Sequence, residues 1–515
     1  MKKALALLAV SALPSSQGHT LETGNAAVTV HVDQVTADIS PLIYGQFIEH
    51  LGRAIYGGIY EEGSPLSDKQ GFRKDVLEKV RALDAPVMRY PGGTVTKIYH
   101  WKDGIGPKEN RPVRRNLIWG GEDNNHVGTD EFMAYCKLIE AEPFLTVNMS
   151  TGTAEEASDW VEYCNADGNS YYAALRRKHG HAKPYRVKYW GLGNEEAAKE
   201  DAGVLQDPAD YVQKAWIYAK LMKLQDPSIE FIMVGDDERW NKAVLEGLHP
   251  ICDFISLHLY AGTQADAPSS LFASVAKMEE KVVKTAAQIK TLAPATPDPL
   301  SRWYRFPGRK GPVRIAIDEW GLWEPNGQGA YGLEQTYTWN HALGVASFLN
   351  MFQRHADVVG MATWAQTVNV LAPLMTDEKN VVAQTIYYPL AIYRKLCGSR
   401  AVVSTVTCGT LPGIEQLPVL DVASSTDEAG KTLTLAIVNR SESEQLDVAL
   451  KVEGAEINGA WTAHVLTASS IHDTNTLQAP EKNVVDYRTA SVPADTRGYN
   501  VPAHSIVILQ VAVAK

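Results

Sequence analysis

Two short stretches carry side chains that could do chemistry. Tyr189-Trp190-Gly191-Leu192 leads into Gly193-Asn194-Glu195, and Val313-Arg314-Ile315-Ala316 leads into Ile317-Asp318-Glu319-Trp320. Each apolar run reads as a strand and ends on a glutamate. Two carboxylates presented by separate strands suit cleavage of a glycosidic bond. One, protonated, helps the leaving oxygen depart, and the other, ionised, attacks the sugar carbon. Glu196 follows Glu195 directly. Neighbouring strand residues face opposite ways, so the two cannot reach one sugar carbon. The Asn-Glu pairing selects Glu195.

These groups must be held by a frame. Eight apolar runs read as strands: Ile43–Glu49, Pro86–Gly93, Glu142–Met149, Lys188–Glu195, Glu230–Asp237, Phe254–Tyr260, Val313–Trp320 and Val358–Gln366. Helical periodicity lies between them, as in Lys74–Leu83, Leu271–Leu292 and Glu334–Arg354. Alternating strands and helices imply parallel strands, and eight of them predict a closed (β/α)8 TIM barrel. An open doubly wound sheet would carry a Gly-rich phosphate loop after its first strand, and none is present. The C-terminal strand tips are Glu49-His50, Arg89, Asn148, Asn194-Glu195, Asp236-Asp237, His258 with Tyr260, Glu319 and Gln366. Barrel enzymes place their active sites at that end.

Beyond residue 395 the helical period disappears. Ala401–Thr407, Thr432–Val438, Leu446–Val452, Trp461–Leu466 and Ser505–Val511 read as strands of a jelly-roll-like β-sandwich. Ala26–Val35 is expected to join that sheet. The division expected is 1–20 as a signal peptide, 21–39 as the strand joining the sandwich, 40–394 as the catalytic barrel and 395–515 as the sandwich. The signal reading rests on Lys2-Lys3, the apolar run Ala4–Leu13 and the small residues of 14–18. It predicts a periplasmic or secreted protein.

The 515 residues are 45% hydrophobic and carry a net charge of −11, with a pI of about 5.7. No basic cluster suits nucleic acid, and the short pieces Arg111–Arg115 and Arg176-Arg177-Lys178 are expected on solvated faces. The leader apart, no segment is apolar enough to cross a membrane. The five cysteines match no zinc spacing or disulfide framework, and Cys136 and Cys252 are expected in the core. No cofactor and no metal are expected.

The chain resembles the α-L-arabinofuranosidases of glycoside hydrolase family 51 from about Ile43 to its C-terminus. The resemblance is carried by Tyr44–Gly52, Arg89-Tyr90-Pro91-Gly92-Gly93, Trp101–Pro107, Leu192–Glu195, Ser256–Tyr260, Asp318-Glu319-Trp320 and Ala365–Asn369. It implies a retaining, exo-acting enzyme that removes arabinofuranosyl side chains from arabinoxylan, arabinan or their oligosaccharides. Glu195 would be the acid/base, its pKa raised by burial and neighbouring charge, and Glu319 the ionised nucleophile. Asn194 would bond the hydroxyl beside the reacting carbon. Arg89 and Tyr260 would hold Glu319, and Glu49 and Gln366 would hold distal hydroxyls. His258 would join the carboxylate cluster or sit as a satisfied buried histidine. Trp119 and Trp323 would wall the sugar or leaving group. The family also implies a homo-oligomer, a trimer or hexamer.

Three departures border the site. Thr94 stands where many relatives have Asn, Glu196-Ala197-Ala198-Lys199 replaces a Met-Asp-Gly-Pro-Trp-like continuation, and Gly321 replaces a frequent Asn. They could open the cleft, so an endo-acting β-1,4-glucanase or xylanase with the same machinery is the alternative. Glu195, Asp236, His258 and Glu319 could instead ligate a divalent metal. A non-catalytic carbohydrate-binding protein would need neither glutamate.

Overall fold

The computed structural model describes residues 26–198, 205, 207–264, 266–294, 308–324 and 332–514. The expected signal segment and Lys199 lie outside them. All eight expected barrel strands are present, as Gly45–Phe47, Val87–Tyr90, Glu142–Val147, Tyr189–Leu192, Glu230–Met233, Phe254–Ala261, Arg314–Leu322 and Val359–Ala365. They pair in parallel and close on themselves, the eighth strand joining the first. Parallel strands are covered on both faces, which is why Ile315, Ala316 and Ile317 are all fully buried in succession.

The barrel interior is filled rather than hollow. Val87, Phe144, Tyr189, Ile232, Phe254, Ala316 and Met361, one from each strand but the first, form an apolar plug. The surrounding helices follow their periodicity. Lys74–Leu83 buries Val76, Leu77, Val80 and Leu83 against the barrel and stops at Asp84, whose left-handed backbone (φ 52°) closes the last turn. The expected helix over Glu334–Arg354 runs Trp339–Arg354, and that over Leu271–Leu292 starts at Ser270. No described helix is long and apolar enough to cross a membrane.

The C-terminal strands and the N-terminal strand form a ten-stranded sheet, nine strands along one hydrogen-bonded path and a tenth, Glu456–Ile457, paired off it with Ser505–Ala514. The N-terminal strand, Ala26–Asp38, lies within it, antiparallel to Arg400–Thr407 and parallel to Leu446–Glu453. Helix Trp339–Arg354 docks the barrel on this sheet. Arg354 and Arg440 both pair with buried Asp421, at 2.5 and 2.6 Å. Trp339 Nε1 donates to the His504 carbonyl at 2.6 Å.

One arginine of each basic piece departs from expectation, whereas Arg114, Arg115 and Lys178 are exposed as expected. Arg111 is buried and grips Glu131 with two nitrogens at 2.9 Å. Arg176 is fully buried and donates to the Tyr163 and Ala166 carbonyls. Loop carbonyls that cannot reach water need donors, and arginine supplies several from one side chain. Cys136 and Cys252 are in the core as expected, and all five cysteines are unpaired.

Candidate active site

A cavity of about 670 Å3 opens at the C-terminal end of the barrel. Glu49, Thr94, Trp119, Glu195, His258, Tyr260, Glu319, Trp323 and Gln366 line it. Arg89 and Asn194 are buried behind this wall. All eleven side chains singled out from the sequence therefore converge on one place.

The floor is an ionic layer above the apolar plug. Arg89, at the end of the second strand, is wholly buried and donates from Nη1 to Glu319 Oε1 at 2.8 Å and to the Asp318 carbonyl at 2.9 Å. Its Nη2 donates to Asn194 Oδ1 at 2.6 Å. That bond fixes the Asn194 amide with Nδ2 free, and Nδ2 is buried without a partner. Asp318 accepts from Ser256 Oγ, while its carbonyl accepts from Thr363 Oγ1 at 2.6 Å. Burial alone would raise the Asp318 carboxyl; Arg89 and His258 hold it below its ordinary range.

Glu319 is held on both oxygens. Tyr260 Oη donates to Oε2 at 2.9 Å, opposite Arg89 on Oε1. Burial pushes the Glu319 carboxyl up, and the charges of His258 and Arg89 oppose this without cancelling it, so the raised carboxyl falls at Glu319, where an unperturbed one was expected. Burial and the Glu319 charge push the Tyr260 phenol up, so it stays a donor.

Glu195 sits differently. The fourth strand ends at Leu192, and Gly193 (φ 86°) and Glu195 (φ 46°) turn the chain in the left-handed region. The two adjacent glutamates are separated by this turn, not by strand alternation. Glu195 faces the cavity, whereas Glu196 is wholly buried and accepts from Ser150 Oγ at 3.0 Å. Lys97 Nζ donates to the Glu195 carbonyl at 3.1 Å. The Glu195 side chain is 35% exposed and that of Glu319 only 9%. The deeper burial expected of Glu195 thus falls on Glu319.

His258 joins the two. Its Nδ1 lies 2.7 Å from Glu195 Oε1 and 3.4 Å from Glu319 Oε2, and its Nε2 lies 3.5 Å from Asp318 Oδ1. Burial would lower its pKa, but the surrounding carboxylates, Glu319 foremost, raise it well above the ordinary value. Glu195, His258 and Glu319 each present an atom within 4.8 Å of the others. Such a trio could hold a divalent ion by its spacing, although both Glu319 oxygens already accept hydrogen bonds, from Arg89 and Tyr260. Asp236 does not join that group.

Glu49 forms the opposite wall. It accepts from Val95 N at 3.0 Å and Trp119 Nε1 at 2.9 Å on Oε1, and from Gln366 Nε2 at 2.8 Å on Oε2. Burial, then the Glu319 charge, pushes its carboxyl up to about 7. The Gly92-Gly93 pair exists for this side chain: a Cβ on Gly93 would lie 2.3 Å from Glu49 Oε2. Trp323, 49% exposed, packs edge-on against Tyr260 at 5.8 Å.

Comparison with known proteins agrees with this architecture. Residues 79–278 match the family model of the α-L-arabinofuranosidase 1 domain, and residues 318–505 that of the α-L-arabinofuranosidase C-terminal domain. "Probable alpha-L-arabinofuranosidase C" of Aspergillus fumigatus is 37% identical over 95% of this chain and 98% of its own. An intracellular exo-α-(1→5)-L-arabinofuranosidase 1 of Bacillus subtilis is 34% identical over 92% of this chain and 96% of its own. The crystal structure of the Thermotoga maritima α-L-arabinofuranosidase in its arabinose complex superposes with a TM-score of 0.85, at 38% identity, covering 95% of this chain and all of that one. At this identity and coverage, the chain belongs to the α-L-arabinofuranosidases of glycoside hydrolase family 51 and is a glycoside hydrolase.

Proposed function

We propose that the enzyme is an exo-acting, retaining α-L-arabinofuranosidase that works by double displacement. The carrying observation is that Glu195 and Glu319 offer carboxylate oxygens within 4.8 Å of each other. Retaining glycosidases keep their carboxyls roughly 5–5.5 Å apart, while inverting ones leave a wider gap for water.

Glu319 attacks the anomeric carbon as the bond to the leaving oxygen breaks, and Glu195 gives that oxygen its proton. Glu195 then takes a proton from water, whose oxygen attacks the same carbon and releases Glu319. Two inversions give net retention. Asn194 Nδ2, buried and unpartnered, is the donor for the hydroxyl beside the reacting carbon, and that bond strengthens as positive charge develops there. Glu49 and Gln366 take the distal hydroxyls, and Trp119, Trp323 and Thr94 shape the walls.

An activity panel tests this reading. Aryl α-L-arabinofuranoside should be cleaved, with the first-formed sugar retaining its configuration by NMR. Aryl xyloside and glucoside should be poor substrates. Rapid viscosity loss of a β-glucan or xylan, without arabinose release, would favour endo action instead.

The charged start Lys2-Lys3 and the apolar run after it support export. N-terminal sequencing of the mature protein tests that step. The family resemblance supports a homo-oligomer, tested by light scattering.

A further inference from the structure

The cavity extends past the residues that would face one sugar ring. The first and fifth strands stand opposite each other in the closed eight-strand barrel. Glu49 follows the first strand and Gln366 the eighth, whereas residues 235–238 follow the fifth, beside Glu195 at the fourth. On the functional reading above, the ring lies toward Glu49 and Gln366 and its leaving oxygen meets Glu195. The leaving group then projects over the tip of the fifth strand.

Three acidic residues stand at that tip, and two are committed. Asp237 caps helix Glu238–Leu248 by accepting from Trp240 N at 2.8 Å. Glu238 pairs with Lys284 at 3.3 Å. Asp236 differs. Buried Asn241 clasps its main chain, accepting from Asp236 N at 2.8 Å and donating to Asp236 O at 3.1 Å. Its side chain is exposed at the cavity wall, where the carboxylate accepts the Asp237 backbone N–H and makes no side-chain hydrogen bond or ion pair among the described residues. A carboxylate on a fixed backbone, with most of its acceptor sites still open, is placed to take hydroxyl groups from a ligand.

We propose that Asp236 is a specificity-determining residue that accepts hydrogen bonds from hydroxyls of the leaving sugar, favouring polyhydroxylated over apolar leaving groups. The proposal rests on the arabinofuranosidase reading. Its test is the ratio of kcat/KM on an arabinofuranosyl disaccharide to that on an aryl arabinofuranoside, in wild type, Asp236→Ala and Asp236→Asn. The ratio should fall about tenfold in Asp236→Ala, the size expected for losing a charged hydrogen bond. It should fall less in Asp236→Asn, which keeps one acceptor oxygen. A thermal melt identifies misfolding, which would lower both activities together. An unchanged ratio in both variants overturns the proposal. A wild-type enzyme inactive on both substrates overturns the functional reading instead.

Discussion

Arg89 Nη1 lies 2.8 Å from Glu319 Oε1, and both side chains are buried. A buried ion pair is costly to break from one side, because the remaining charge has no water to solvate it. Here the pair also fixes the proposed nucleophile's position, with Tyr260 on the other oxygen.

Glu319→Ala should therefore abolish turnover and leave an anion-sized space beside the Arg89 guanidinium. Added azide or formate is drawn to that positive charge and can attack the sugar in place of the lost carboxylate. Partial recovery with an inverted glycosyl product, followed by NMR, is expected. Near-normal activity of Glu319→Ala without added anion would sink the assignment.

Glu195→Ala should behave differently. An aryl leaving group departs with little acid help, whereas a sugar needs its oxygen protonated. Glycosylation should survive better on activated aryl substrates than on oligosaccharides, by about 100-fold or more, the usual scale of general acid catalysis. Equal losses on both classes would argue against an acid role.

The barrel was legible because its strands are buried on both faces and end in polar tips. Each reads as a short, mainly apolar run with an ionisable or amide group at or near its C-terminal tip, and all eight are legible that way. Leu420–Thr426 in the C-terminal sheet went unread: its seven residues are all buried, yet Ser424, Ser425 and Thr426 are polar. Asp486–Val492 is an outermost strand with almost every side chain exposed, so no apolar pattern marks it. In the site, the residue types were readable and their depths were not. Nothing in the order of residues tells that Glu319 is buried more deeply than Glu195, because the turn at Gly193 and Glu195 decides that. Asp318 was visible only as a neighbour of Glu319; its role as an ionic anchor under His258 depends on strand register.

Glu49 gives a pH signature in stability. Its carboxyl is raised from 4.5 to about 7 in the folded protein, so the fold binds this proton more tightly than the unfolded chain. The resulting stabilisation is fully present below about pH 4.5 and is lost as pH rises through about 7. Its size is about 3 kcal/mol. Glu49→Gln cannot titrate. Urea denaturation from pH 4 to 8 should show the wild type losing stability relative to Glu49→Gln across that window, and a constant difference beyond it. Parallel curves throughout would show that Glu49 is not proton-linked to folding.

Thr94 bears on how tightly the furanose is held. It lies in the cavity wall, nearly buried, directly after the Gly92-Gly93 pair that makes room for Glu49. Threonine is shorter than the asparagine common at this place in the family, and it has no amide to donate. Thr94→Asn restores that amide within the same wall. An added hydrogen bond to the sugar that is equally strong in the ground and transition states lowers KM and leaves kcat nearly unchanged. A gain of one such bond is worth about 1 kcal/mol, or roughly a fivefold fall in KM for an aryl arabinofuranoside. If KM stays where it is, Thr94 is neutral for furanose binding, and the search for specificity moves to the cavity wall around Ala197 and Ala198.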